Sequence, residues 1–345
     1  MSPKITIKEL SMGDEKDIEY ILKHSTNGTI FHTYEWNKLV SDEFKIPHRT
    51  LIAKENGKPL GVFTFFIVKN KLFTRIESPL IKYGEIPYGG PVIIDGEKEE
   101  IIDKLVREVT GNLVEYWQIY TPPFYPIDIV KKIGFKCMKL FTPIVKLGMT
   151  EKELWDRIDS KRRNLIRKAT SNKLQVVTFT ANAGCSTSSG FVDSYYHMLL
   201  EVFKGHRKVP PPKSYYQRIL QELTPYGWVK ALLALDKGKP IAGAIFLCFK
   251  DTVYYWSGAS FSEYRYLSAN DLIQWELIKW ANQNNYKYYD LTRVEPEGLP
   301  GVAHFKLGYG GELIPIYIAI RRTLLGQISR VMGLASRLSC HHTRT

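Results

Sequence analysis

The stretch Gly301-Val-Ala-His-Phe305-Lys306-Leu-Gly308-Tyr-Gly310-Gly311-Glu312 sets one lysine beside an aromatic ring and follows it with three glycines before a β-rich run. Glycine at that density marks a backbone that must turn tightly or come close to something. A lysine held in such a place, partly out of water, acts strongly on developing negative charge, whereas on a short solvated helix it does nothing in particular. A second stretch, Lys161 to Lys173, carries Lys161, Arg162, Arg163, Arg167, Lys168 and Lys173. On a helix Arg163 and Arg167 share a face with Asn164 and Lys168 beside them, which suits phosphate binding or a solvated charged surface. Asp290 closes the run Tyr288-Tyr-Asp-Leu291, where a strand-end carboxylate accepts a proton from an amine nucleophile or is neutralised by Arg293.

Other groups surround these. Tyr254, Tyr255, Trp256, Tyr264 and Tyr266 form an aromatic bank that walls a groove, stacks bases or fills a core. His206, Arg207 and Lys208 precede Val209-Pro210-Pro211-Pro212, a stiff segment that presents Arg207 at a fixed angle or merely ends a helix.

The elements that position these residues are legible from periodicity and turn residues. A strand over Ile5 to Leu10, helices over Asp14 to Lys23 and Tyr34 to Val40, and strands over Thr50 to Lys54, Pro59 to Val68 and Leu72 to Ser78 open the chain. Helix Glu99 to Thr110, strand Asn112 to Tyr120, helix Pro126 to Ile133 and strand Phe141 to Leu147 complete a first module over 1–150. The second, over 151–321, runs through helices Glu151 to Ile158 and Arg163 to Thr170, strand Leu174 to Thr180, and helices Gly190 to Phe203 and Ser214 to Leu223. Strands Trp228 to Leu235, Ile241 to Phe249 and Val253 to Ser260 follow. Helix Asn270 to Asn282, strand Tyr288 to Leu291, helix Ala303 to Leu307 and strand Leu313 to Ile320 finish it. The expected fold class is α/β (α+β), two tandem modules, each a mixed, mostly antiparallel sheet flanked by helices. Residues 322–345 set apolar positions against arginines at helical spacing, the pattern of a basic amphipathic tail that lies on an anionic membrane surface or docks as an ordinary terminal helix.

Composition bounds the rest. A chain of 345 residues, 44% hydrophobic and 24% charged, exceeds one comfortable core, so two domains are expected. Cys137, Cys185, Cys248 and Cys340 are scattered and partly in apolar runs, which reads as reduced thiols in a cytosol, with no structural zinc. No long apolar run crosses a bilayer or serves as a cleavable signal, so a cytoplasmic protein is expected, or one peripheral at the inner face of the membrane. The net charge of +13 suggests an anionic partner.

The Phe305-Lys306 pair with its glycines, together with Lys161-Arg162-Arg163-Asn164-Leu-Ile-Arg167-Lys168-Ala169, resembles the FemAB-like aminoacyl transferases and their acetyltransferase-like relatives. That family is built from GNAT (N-acetyltransferase) modules, and the resemblance covers the second half well and the first loosely. It implies that Lys306, beside Phe305, stabilises the oxyanion of acyl transfer and that the basic helix lies near the acceptor groove; with Asp290 as the strand-end candidate for proton acceptor, these three, Lys306, Phe305 and Asp290, are the candidate catalytic residues. Together with the residues read directly from the sequence, the candidate substrate-binding residues are Arg163, Arg167, Lys168, Arg207, Tyr255, Tyr264, Arg265 and Asn270. In coenzyme A-dependent relatives the loop before the helix reads R/Q-x-x-G-x-G/A, whose glycines bring N–H groups onto the pyrophosphate. Here it reads Arg265-Tyr-Leu-Ser268-Ala269-Asn270, with neither glycine. The match at Arg330-Val-Met-Gly333-Leu-Ala335 follows no strand and is a chance hit.

These features imply an acyltransferase that takes an aminoacyl group from charged tRNA, or another anionic acyl donor, to an amine-bearing cell-envelope precursor, with no cofactor. The alternatives are an acetyl- or acyl-CoA-dependent N-acetyltransferase and a non-catalytic anion-binding module. Members acting on nucleotide-linked wall precursors carry a lysine four residues after the early tryptophan. After Trp36 that position is Val40, which points to an acceptor other than a murein precursor.

Overall fold

In the computed structural model, which describes residues 5–69, 73–81, 86–109, 114–179, 185–295 and 300–323, the chain divides into two compact units. One draws on Met1–Phe141, Glu295–Pro300 and Ile314–Thr345, the other on Thr142–Val294 and Gly301–Leu313. The tail expected over 322–345 lies outside the described residues apart from Arg322 and Thr323.

In the first unit β1 (Ile5–Glu9) precedes α1 (Glu15–Lys23) and α2 (Tyr34–Phe44), then β2 (His48–Glu55), β3 (Lys58–Lys69) and β4 (Thr74–Ser78). The short β5 (Val92–Ile93), α3 (Glu100–Glu108), β6 (Val114–Tyr120), α4 (Ile127–Lys132) and the start of β7 (Lys136–Lys146) follow. The sheet runs β1-β2-β3-β4-β6, antiparallel except for the parallel pair β4–β6. Asn56 and Gly57, both at positive φ (51° and 83°), make the tight β2–β3 turn that this dipeptide favours. Strand alternation gathers Phe63, Phe65, Ile76, Trp117 and Ile119 into a core closed by Ile101, Ile102 and Leu105 of α3 and Val130 of α4.

The second unit takes up the chain at the end of β7 and continues through α5 (Glu151–Arg157), α6 (Ser160–Ser171), β8 (Gln175–Phe179), α7 (Cys185–Gly205) and α8 (Lys213–Leu223). Then come β9 (Val229–Asp236), β10 (Lys239–Phe249), β11 (Thr252–Ser260), α9 (Ala269–Gln283), β12 (Tyr288–Asp290), α10 (Pro300–Leu307) and the first residues of β13 (Glu312–Arg322), which from Ile314 onward belongs to the first unit. Its sheet runs β7-β12-β11-β10-β9-β8, antiparallel except for the parallel pair β11–β12. Phe246, Tyr289, Leu277, Ile278 and Ile166 are central to its core. The fold is thus α/β (α+β), with mixed, mostly antiparallel sheets flanked by helices.

From β8 to β13 the order of strands and helices repeats that from β1 to β7, apart from the added β5. The last strands do not follow the expected boundaries at 150 and 321. Ile318–Arg322 of β13 pair with Tyr116–Tyr120 of β6 in the first unit, while Ile144–Lys146 of β7 pair with β12 in the second. Alternation encodes that a segment is a strand, but which sheet edge satisfies its N–H and C=O groups is a long-range matter. Helix α6 also starts earlier than expected, because the Asp159 carboxylate accepts the Arg162 backbone N–H at 2.7 Å and caps it. Among the described residues no helix is long and apolar enough to cross a membrane, and no group of His, Cys, Asp and Glu is arranged to hold a metal. Cys137 and Cys248 are free thiols.

Candidate active site

The parallel pair β11–β12 lasts only from Thr252–Tyr288 to Tyr254–Asp290, and the candidate site lies in the second unit just past its end. Proline suits the first turn of a helix, and α10 begins at Pro300. Ala303 and Lys306, one turn apart, both point inward. The Lys306 side chain is buried, and its ammonium donates to Arg293 O at 2.9 Å, Thr292 Oγ1 at 3.0 Å and Thr292 O at 3.4 Å. Its Nζ also lies 5.9 Å from the centre of the Tyr255 ring. The Tyr255 hydroxyl rests against the bare Cα of Gly258, and burial, with the Asp271 charge adding to it, pushes that phenol up to about 12. Tyr255 is therefore a neutral donor at ordinary pH.

Thr292 holds this corner together at φ 60°, in the left-handed region. For a β-branched residue that conformation is a true outlier, costing roughly 1–3 kcal/mol. Its N–H donates to Asp290 Oδ1 at 2.7 Å and its hydroxyl to Tyr255 O at 3.1 Å. Asp290 is itself fully buried, and its Oδ1 also accepts from the Thr142 hydroxyl.

A second buried group supports α10 from the other side. Arg162 turns inward from α6, and its Nη1 donates to Asp271 Oδ1 at 2.9 Å, as does the Tyr309 hydroxyl at the same distance. The guanidinium lies 5.1 Å from the centre of the Phe305 ring, which meets Tyr309 edge-on at 5.3 Å. Burial pushes the Asp271 carboxyl up, and the Arg162 and Tyr309 contacts pull it back. The glycines now have reasons. A Cβ on Gly308 would sit 2.5 Å from Asp159 Oδ2 and 2.6 Å from Arg162 Cγ, so a bare Cα is what admits the start of α6. Gly310 takes φ 75°, and a Cβ there would lie 2.5 Å from Arg157 O.

Of the residues singled out in the sequence, Lys306, Phe305, Asp290 and Tyr255 come together. Arg163 is half-buried with Nη1 3.6 Å from Asp156, and the exposed Arg167 donates to Asn164 at 2.9 Å while lying 5.3 Å from the Trp155 ring centre. Lys168 is exposed too, and Arg207, at φ 52° beyond α7, takes no part in the cluster. Tyr264 accepts from Lys239 at 2.8 Å, Arg265 is exposed, and the Asn270 amide donates to Ser260 Oγ at 3.0 Å. Ser268 adopts a glycine-like φ of 58° at the start of α9, with its side chain buried and capping nothing. In the first unit Val40 is buried and Lys38 is exposed, 2.8 Å from Asp42.

Sequence reasoning missed Arg162, Asp271, Thr292 and Tyr309. A signal for Arg162 was present: Arg162, Ile166 and Ala169 are the buried residues of α6, an i, i+4, i+7 stripe that sets this arginine on the apolar face.

The comparisons bear on this geometry. Residues 160–307, which contain α6, α9, β12 and α10, match the acetyltransferase (GNAT) domain family. Most of the second unit is thus similar to GNAT acetyltransferase domains. Over the whole chain the fold is similar to FemX, with a TM-score of 0.69 at 14% identity, covering 94% of this chain and 99% of that one. It is also similar to the C-terminal domain of a putative lysylphosphatidylglycerol synthetase from Agrobacterium fabrum, with a TM-score of 0.60 at 10% identity over 93% and 96% of the two chains. A tandem GNAT protein from the clavulanic acid biosynthesis pathway gives a TM-score of 0.55 at 10% identity over 92% and 98%. No curated protein matches the sequence. The FemAB-like resemblance thus agrees with both the domain match and the fold, and within the GNAT domain Lys306 stands one residue before the end of α10.

Proposed function

We propose that the GNAT domain transfers an aminoacyl group from charged tRNA to an amine of a cell-envelope precursor at the inner face of the membrane. The observation that carries this reading is the ammonium of Lys306, buried past the end of the β11–β12 pair and held there by oxygens. In such a transfer the amine nitrogen attacks the ester carbonyl carbon, the C–N bond forms, and the C–O bond to the ribose breaks. The amine proton ends on the departing ribose oxygen. What the protein must add is position and a cation for the transient oxyanion. Among the described residues the longest Lys306 hydrogen bond, 3.4 Å to Thr292 O, is the weakest, so an oxyanion takes that N–H at less cost than the other two. The exposed cations of α6, Arg167 and Lys168, and the half-buried Arg163 suit the tRNA backbone.

Two features favour tRNA over coenzyme A. Ser268 and Asn270 occupy the loop where glycines would let the backbone close on a pyrophosphate, and the Asn270 amide is engaged with Ser260. The putative lysylphosphatidylglycerol synthetase among the similar folds carries an aminoacylated lipid in its name. The second reading, an acyl-CoA-dependent N-acetyltransferase, draws on the left-handed backbone that Ser268 keeps at the same loop.

The purified protein, incubated with an envelope-precursor extract and either charged tRNA or acetyl-CoA, separates the two by mass spectrometry of the acceptor fraction. An added aminoacyl mass with charged tRNA alone is the expected result. An added acetyl mass with acetyl-CoA alone overturns the donor assignment.

A further inference from the structure

We propose that Thr292 is a positioning residue that aims the Lys306 ammonium, and that Asp290 serves this turn instead of taking a proton from the reacting amine. The proposal rests on Lys306 being the group that stabilises the oxyanion.

The hydroxyl of Thr292 has one hydrogen, and Tyr255 O takes it at 3.1 Å. Only lone pairs remain for Lys306, whose Nζ lies 3.0 Å from that oxygen. The hydroxyl is thus locked as an acceptor toward the ammonium. In an extended strand successive carbonyls point to opposite sides, yet Thr292 O and Arg293 O both accept from the same Nζ. The left-handed backbone at Thr292, φ 60°, breaks that alternation. Such a conformation persists in a β-branched residue only when its surroundings hold it there. Asp290 supplies the hold, its Oδ1 accepting the Thr292 N–H two residues on, as in an Asx turn, while the Thr142 hydroxyl fixes that same oxygen. An acceptor so engaged, on a side chain 1% exposed, is a strut. Turning Thr292 out of this conformation would displace two of the oxygens that hold the ammonium.

Two measurements test this. The first needs no acyl donor: proton–nitrogen correlation spectroscopy of the Lys306 ammonium in protein with 15N-labelled lysine, assigned by its loss in Lys306→Met. A signal retained in Thr292→Ser, which keeps the hydroxyl, and shifted or lost in Thr292→Val, which removes it, is the expected result. A signal unchanged in Thr292→Val overturns the proposal. The second is kinetic, with whichever donor supports turnover. Thr292→Val lowers kcat by about tenfold or more with little change in KM, Thr292→Ser restores most of it, and Thr292→Val causes no further loss in a Lys306→Met background. Thr292→Gly, which relieves the strained φ, keeps or raises the melting temperature while lowering kcat, so the loss is not one of folding. If Lys306→Met is slow and Thr292→Val is not, the positioning role is wrong and the Lys306 assignment stands. If Lys306→Met turns over like the parent, the catalytic assignment of Lys306 falls, and the spectroscopic result still decides whether Thr292 aims it.

Discussion

Replacing Arg162 by alanine isolates the buried charge pair beneath α10. Arg162 and Asp271 are 8% and 5% exposed, so water cannot take over when the guanidinium is removed. The Asp271 carboxyl, whose ordinary value is 3.8, is already pushed up by burial, and Arg162 is the strongest influence pulling it down. Without that cation it has two options, to remain charged and unpaired or to take up a proton. Protonation limits the loss. Holding a carboxyl of ordinary value 3.8 protonated at pH 7 costs about 1.36 kcal/mol for each pH unit between them, or about 4 kcal/mol in all. At pH 5 the same limit is about 1.6 kcal/mol. Losing the guanidinium from above Phe305 adds about 0.5–1 kcal/mol that does not change with pH. The expected loss at pH 7 is therefore about 3–5 kcal/mol, in the range for breaking a buried pair. The sign is fixed by the direction of the shift. A carboxyl raised in the folded state gives stability present at low pH and lost as pH rises through its folded value, so the deficit of Arg162→Ala must grow from pH 5 to pH 7. Urea unfolding read by hydrogen exchange in peptides from α6 and α9 assigns the loss to the second unit. A deficit below about 1 kcal/mol at pH 7, or one that does not change with pH, would refute the reasoning. Adding Asp271→Asn to the variant should remove most of the pH dependence.

Arg163→Ala with Arg167→Ala should weaken tRNA binding and flatten its dependence on log salt by about 0.7 for each single-strand phosphate left without its cation; an unchanged slope in fluorescence anisotropy would place tRNA elsewhere. Ser268→Gly removes a side chain that caps nothing from a left-handed residue, so stability should stay within about 1 kcal/mol while calorimetry shows tighter acetyl-CoA binding. Should affinity not improve, the loop is not what disfavours coenzyme A. Burial pushes the Cys248 thiol up to about 12, so it should resist alkylation near pH 8 until the protein unfolds, and rapid native labelling would contradict its burial. Because the thiol value is raised on folding, its contribution to stability should be lost as pH climbs from about 9 toward 12.

The sequence by itself determined the elements and the glycine-flanked stretch around Lys306, because both are written locally. Turn residues such as Asn56-Gly57 and the glycines after Lys306 state backbone requirements within a few positions, and periodicity separates strand from helix. Tertiary structure decided which residues those elements bring together. Arg162 reads in sequence as one of several cations in a run, and only Asp271, 109 residues away, makes it a buried structural charge. Asp290 reads as a strand-end base or a carboxylate neutralised by Arg293, and only the fold brings Thr142, 148 residues before it, to the oxygen that also accepts the Thr292 N–H. The partner strand of β13 likewise lies in the other half of the chain, at β6. Hydrogen bonds and ion pairs between buried groups form where the fold brings donors and acceptors within about 3 Å, and no local pattern records that distance.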